Sequence, residues 1–388
     1  SGVLSVDTKE SLKQQLKTDG NILVEAKAVK RPANTVINVC RNNKKLKSED
    51  LSNLCRQLAI IVSSGVSIIS SLESIISQSN NKELKQELLR LYNGMQMGRS
   101  IAEIMLEPES KFPELMGGMV ATGESTGKLD SVFKSMAEYY QKDSYIKKKI
   151  KSASIYPVFL CILAIAMVLG FMKFILPNII EIITSSGAEL PGITLFVMGI
   201  AEVVNKYFIL IVILIVLTVV GARWYINTPN GRVVKDTIKL KIPILNKAIK
   251  NIITSRFCQG LNLFIVSGFP LLQGLELMQK SINNALAEKV IQIAIKGIQQ
   301  GEELVPNIAK ANFFDSVFIQ LLGVGEKTGS MGHITEQLKE FYESETELSI
   351  NKAISMIEPV MMLVIGGLVG FLIISVALPM FTIYNSIE

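Results

Sequence analysis

Three apolar stretches, each about 20 residues long, set the limits on what this chain can fold into. They cover residues 155–176 (IYPVFLCILAIAMVLGFMKFIL), 207–226 (YFILIVILIVLTVVGARWYI) and 359–379 (PVMMLVIGGLVGFLIISVALP). An amphipathic core helix shows a polar stripe every turn. These segments show none, and their length favours crossing a bilayer over being buried in a soluble core. The first stretch has one charge, Lys173, near its far end, where a long side chain can reach the interface. The second ends on Arg223 and Trp224, residue types that favour the interface. Composition agrees: 49% of the 388 residues are hydrophobic and only 19% charged, against about one quarter charged in ordinary soluble domains.

The basic residues predict the orientation. Lys147, Lys148, Lys149 and Lys151 precede the first stretch, and Arg223, Arg232, Lys235, Lys239 and Lys241 follow the second. The loop between them has Lys206 at its edge with Glu181, Glu189 and Glu202, and no Lys or Arg follows the third stretch. Basic residues stay on the cytoplasmic side, where anionic lipid attracts them at about 1 kcal/mol each. The N-terminus and segment 227–350 are therefore expected in the cytoplasm, and the loop 178–206 and the last residues, 381–388, outside.

The chain also repeats itself with an offset of about 202 residues. RQLAIIVSSGVSIISSLESI, from Arg56, answers RFCQGLNLFIVSGFPLLQGLELM, from Arg256, pairing Gly65 with Gly268 and Glu73 with Glu276. QMGRSI answers QQGEEL, and GESTGKLDSVFKSMAEYY, from Gly123, answers GEKTGSMGHITEQLKEFY, from Gly325. The match continues into the apolar stretches, where Pro157 pairs with Pro359. The repeating unit is thus a helical domain followed by one span, and the middle span returns the chain to the cytoplasmic side. Apolar positions recur at helical spacing throughout, as at Leu51, Leu54, Cys55, Leu58, Ile61 and Val62, with Ser48 as the expected cap and Gly65 as the terminator.

The predicted fold is an all-α membrane protein with two homologous cytoplasmic helical bundles, about six helices each, and three transmembrane helices. The segments are 1–47, the remnant of a small N-terminal domain plus a linker; 48–154, bundle one; 155–177, span one; 178–206, an external loop; 207–226, span two; 227–350, bundle two; 351–380, span three; and 381–388, an external C-terminus. The last helix of each bundle is expected to run straight into its span.

Several motifs admit two readings. GESTGK lacks the spacing, the following Ser or Thr and the preceding strand of a phosphate-binding loop. It reads as a tight helix–helix turn in which Gly123, Gly127, Gly325 and Gly329 supply the backbone freedom and Ser or Thr caps the next helix. The alternative is a partner-docking loop, with Glu124 and Glu326 exposed beside it. Pro157 and Pro359 are either tolerated membrane prolines or kinks that couple bundle to span. Glu358, beside Pro359, is either functional or simply interfacial. Gly366, Gly367 and Gly370 offer a small-residue face, a weak signal. The four cysteines form no CxxC pair, and the single histidine, His333, lies at an expected helix start without a Cys or carboxylate cluster, so no catalytic, cofactor or metal site is expected. The basic linker lacks the aromatic residues of a nucleic-acid surface.

In order and duplication these marks resemble the type II secretion F / type IV pilus platform family (PilC/GspF), over about residues 48–388. The resemblance implies a bacterial inner-membrane platform that is no enzyme. It would contact a cytoplasmic hexameric ATPase, pilin or pseudopilin subunits, other inner-membrane assembly proteins, lipid and further copies of itself, and would help move pilins into a fibre. A transporter or channel with a duplicated domain is the competing class; the spans lack the central breaks and charges such a protein uses.

Overall fold

The computed structural model describes residues 45–185 and 192–387, and every regular element among them is helical. The expectations for residues 1–44 and for segment 186–191 lie outside the described residues.

The first copy contains α1 (Ser48–Ser63), α2 (Ile68–Gln78), α3 (Lys82–Gln96), α4 (Ile101–Met105), α5 (Glu114–Thr126) and α6 (Leu129–Gly170). A π-turn (Phe171–Ile175), α7 (Leu176–Ser185), α8 (Gly192–Ile226) and α9 (Pro229–Lys241) lead to the second copy. That copy repeats the series as α10 (Pro243–Ser267), α11 (Leu271–Ser281), α12 (Ala285–Gln299), α13 (Leu304–Ala309), α14 (Ser316–Thr328) and α15 (Met331–Ser355), followed by α16 (Ile357–Ile387). In each copy the first and last helices form the main packing pair, α1 on α6 and α10 on α15.

Glycines stop the helices where the pattern predicts. Gly65, Gly98 and Gly127 in the first copy and Gly268, Gly301 and Gly329 in the second all have positive φ, which glycine adopts without the Cβ clash of other residues. The Ser48 cap is a correction. Lys47 occupies the N-cap position of α1 without a side-chain bond, and Ser48 instead donates its hydroxyl to Asp143 Oδ2 at 2.5 Å. A serine beside a carboxylate on the facing helix satisfies that acceptor rather than its own backbone.

Helix α6 is continuous for 42 residues and contains Pro157, so it runs from the bundle into the apolar stretch as expected. The second copy differs. Its hydrogen-bond ladder is interrupted at Met356, between α15 and α16, and Pro359 falls in the first turn of the new helix. Proline has no N–H for the carbonyl four residues back, which here belongs to Ser355, the last residue of α15. In the first turn that missing donor is lost to no intrahelical bond.

Among the described residues, two apolar helical stretches, Leu129–Glu181 and Met331–Ala377, are long enough to cross a membrane, and the most apolar windows of the two are 0% and 11% buried. Large side chains such as Phe159, Ile162, Leu363 and Ile373 stand exposed along them. So extended an apolar surface has no stable aqueous state and fits lipid. Residues 207–226 form the C-terminal part of α8, which departs from helical geometry at Tyr207. Helix α16 packs against α6, α7 and α8. Among the described residues, a Cβ added at Gly366, Gly367 or Gly370 would meet nothing within 4 Å.

Candidate functional site

The two glycine turns carry the most information. Helix α5 ends at Gly127 (φ 69, ψ 18) and α14 at Gly329 (φ 68, ψ 10), so both motifs are the tight turns that the glycine spacing suggests. Ser or Thr does not cap the following helix. Thr126 donates back to Thr122 O at 2.7 Å and Thr328 to Val324 O at 2.7 Å, because a hydroxyl in a last helical turn reaches the carbonyl four residues earlier.

Glu124 and Glu326 differ from the expectation of free exposure. Both are half-buried. Glu124 accepts hydrogen bonds from the Ile101 N–H at 2.8 Å and the Ala102 N–H at 3.2 Å. Glu326 accepts from Leu304 N–H at 2.6 Å and Val305 N–H at 2.9 Å. The first N–H groups of a short helix have no internal partner, and in each copy a carboxylate from the following helix supplies one. Gly123 and Gly325 permit this approach. A Cβ at Gly123 would lie 3.0 Å from Leu129 Cδ2, and one at Gly325 would lie 3.0 Å from Ile334 Cβ. The GE pair is therefore a bracket, with the glycine letting the last helix close and the glutamate holding the short one. The side chains left exposed at the turns are those of Ser125, Thr126 and Lys128, and of Lys327 and Thr328.

The two bundles meet along a seam that no sequence pattern announced. Arg256 of α10 pairs with Asp143 of α6 at 2.7 Å, Lys142 of α6 with Glu343 of α15 at 2.9 Å, and Lys280 of α11 with Glu114 of α5 at 2.6 Å. Burial acts to raise the Asp143 pKa, but the Arg256 charge, aided by bonds from Lys147 and Ser48, holds it below the usual carboxylate value. Tyr145 donates to Glu347 Oε1 at 2.7 Å. Gly118 of α5 makes a close apolar approach: a Cβ there would come within 2.6 Å of Leu277 Cδ1, with Phe269 beyond. The partners are far apart in sequence and of ordinary types; the one available signal was acidic and basic residues facing outward on helices that the repeat makes equivalent.

The basic cluster is engaged by protein. Lys147 pairs with Asp143 one turn earlier on α6 at 2.5 Å and donates to the Ser48 hydroxyl of α1 at 2.9 Å, and Lys148 pairs with Glu49 of α1 at 2.5 Å. Lys149 crosses the seam to Glu347 at 2.8 Å, and that hydrogen bond outweighs desolvation to raise its pKa. Lys151 and Arg223 are exposed, as are Glu358 and Pro359 at the start of α16. Cys55 and Cys258, equivalent positions in the two copies, are free and buried, and burial pushes both thiols far above their ordinary value. Such thiols are unreactive. No cluster of three or more His, Cys, Asp or Glu suited to a metal occurs among the described residues.

Geometry thus defines a class: a duplicated helical module in which each copy feeds an apolar, lipid-facing helix. Residues 54–177 and 257–379 each match the family described as Type II secretion system (T2SS), protein F, and the chain belongs to that family. A type IV pilus assembly protein PilC of Myxococcus xanthus is 30% identical over 344 residues, covering 88% of this chain and 82% of the relative. The protein of the same name from Thermus thermophilus is 27% identical, covering 88% and 84%. A type II secretion system protein F of Aeromonas hydrophila is 24% identical over 98% of this chain and 99% of the relative. The family resemblance inferred from the duplicated motifs is thereby established, and with it a role in secretion or pilus assembly machinery.

Proposed function

We propose that this protein is the inner-membrane platform of a type IV pilus or type II secretion machine, coupling a cytoplasmic assembly ATPase to the insertion of pilin subunits into a fibre. One observation carries the proposal: two equivalently built bundles each pass their last helix into an apolar helix. Displacing a bundle then moves a membrane segment, and in the first copy α6 transmits the motion through some 60 Å of unbroken helix at about 1.5 Å per residue. The chain crosses the membrane three times, at 155–177, 207–226 and 351–380, with both bundles cytoplasmic and the C-terminus external, as the Lys and Arg distribution directs. Its partners are the ATPase, pilin or pseudopilin subunits, neighbouring inner-membrane assembly proteins, lipid and further copies of the chain.

The exposed turn residues Lys128 and Lys327 are the proposed ATPase contacts, since Glu124 and Glu326 are occupied within the bundles. Pull-down of the cognate ATPase should weaken when Lys128 and Lys327 are both changed to Glu; unchanged capture removes the turns from the mechanism. For topology, single cysteines in 230–345 should resist a membrane-impermeant thiol reagent in intact cells, while cysteines in 381–388 should react. Labelling of the 230–345 segment from outside overturns the proposal.

A further inference from the structure

The seam between the bundles joins unlike faces. The first copy contributes α5 and α6; the second contributes α10 and α11, the equivalents of α1 and α2, with Glu343 and Glu347 of α15 at the edge. Such a contact is heterologous, and it leaves one face of each kind unused: α1–α2 of the first copy, and in the second the side of α14–α15 that carries Val317, Leu321, Phe341 and Leu348. The repeat allows these free faces to be compared, position by position, with their occupied equivalents, using the pairings of Gly65 with Gly268 and of Gly123 with Gly325.

On the first kind of face, Leu263 and Phe269 are 3% and 7% exposed in the second copy, while their equivalents Ile60 and Val66 are 61% and 48% exposed in the first. On the other kind the asymmetry reverses. Met119 is fully buried in the first copy, while its equivalent Leu321 is 42% exposed in the second. Leu115 and Ile146 are buried and Tyr139 half-buried, whereas Val317, Leu348 and Phe341 are exposed. The free positions have kept apolar side chains where solvent alone would favour polar ones, and a contiguous set of this kind marks an interface.

We infer that the free α1–α2 face of one chain docks on the free α14–α15 face of a second copy, repeating between molecules the contact that joins the two bundles within one. This deepens the homo-oligomer part of the proposed function, and it rests on that reading. Its support is continuity with the seam, because the exposed apolar residues occupy the positions that the seam covers in the sister copy. A heterologous contact propagates from chain to chain, closing into a ring or continuing as an arc according to its rotation.

The seam also fixes which residues should touch. Gly118 meets Leu277 within the chain, so their exposed equivalents, Gln320 and Ser74, should meet between chains. In a background with Cys40→Ser and Cys161→Ser, a chain carrying Ser74→Cys is co-expressed with a differently tagged chain carrying Gln320→Cys, and isolated membranes are oxidised. The expected result is a disulfide-linked heterodimer carrying both tags, abundant relative to either variant alone and lost when Leu321→Glu is added. Native mass measurement of the unmodified chain in detergent accompanies it. Oligomers without the Ser74–Gln320 disulfide overturn this surface and leave the homo-oligomer reading standing. A monomer throughout, with no disulfide in membranes, overturns both. Because Ser74, Gln320 and Leu321 are exposed, unchanged thermal unfolding of the variants checks that their folds are intact.

Discussion

The first and second bundles share a helix order, yet they are filled and finished differently. The first packs aliphatic and thioether side chains, with Leu54, Ile61 and Met116 at positions where the second has Phe257, Phe264 and Phe318. Phe318 stands among Phe257, Phe314 and Tyr342, with ring centroids 4.8–5.9 Å away. At the foot of α14, Asp315 accepts from the Phe318 N–H and from the Tyr342 hydroxyl at 2.6 Å. The equivalent of Asp315 is Pro113, and the buried hydroxyl of Tyr140, the equivalent of Tyr342, finds no hydrogen-bond partner. The second bundle is thus locked by rings and a shared carboxylate, while the first relies on adaptable side chains and a continuous helix into the membrane. What the two keep in common is the GE bracket, the feature each needs to close its helices.

Phe318→Ala should give the largest effect, a loss of about 3–5 kcal/mol from ring packing and the cavity left behind. Hydrogen exchange should accelerate over 243–355 and leave 48–140 protected; equal acceleration in both would mean that the bundles unfold as one unit. Next, Glu124→Ala and Glu326→Ala should each cost about 1–3 kcal/mol by stranding two N–H groups. Exchange should rise at 101–105 in one variant and at 304–309 in the other, and an effect in only one copy would break the equivalence. Tyr342→Phe should cost about 1.5–3 kcal/mol, because its bond is to a carboxylate, whereas Tyr140→Phe should be neutral or slightly stabilising in thermal unfolding. Gly127→Ala and Gly329→Ala should each cost about 1–2 kcal/mol, since nothing crowds either site and the loss is backbone strain alone.

The smallest effect concerns pH and the seam. The depressed Asp143 pKa means that its contribution is present above the unfolded-state value, about 3.9, and drains away as pH falls below it. Exchange at the seam should therefore quicken as pH falls below about 4. Asp143→Asn should remove that dependence, and an unchanged profile would show that Asp143 is not its source.

Much of this was legible in sequence because helices and apolar stretches are local. Gly65 and Gly268 announce helix ends, and the spacing of Leu51, Leu54 and Leu58 announces a buried face that is indeed covered. Glu124 and Glu326 were visible as a repeated pair, but their partners, backbone N–H groups more than 20 residues earlier, carry no side-chain signal. The same limit hid the Met356 interruption, since Pro157 and Pro359 look alike in sequence, yet the first lies inside a continuous helix and the second in the first turn of a new one.

By itself, then, the sequence determined the helical content and the apolar stretches, which rest on short-range periodicity and on the transfer of apolar groups from water, and also the duplication and the family, which rest on the order and repetition of its motifs. Tertiary structure alone decided that Arg256 faces Asp143, that the repeated glutamates Glu124 and Glu326 bond back to their own bundles, and that sister faces carry opposite exposure. Those depend on contacts between distant segments, whose geometry is set by the packing of whole helices and leaves no trace in local pattern.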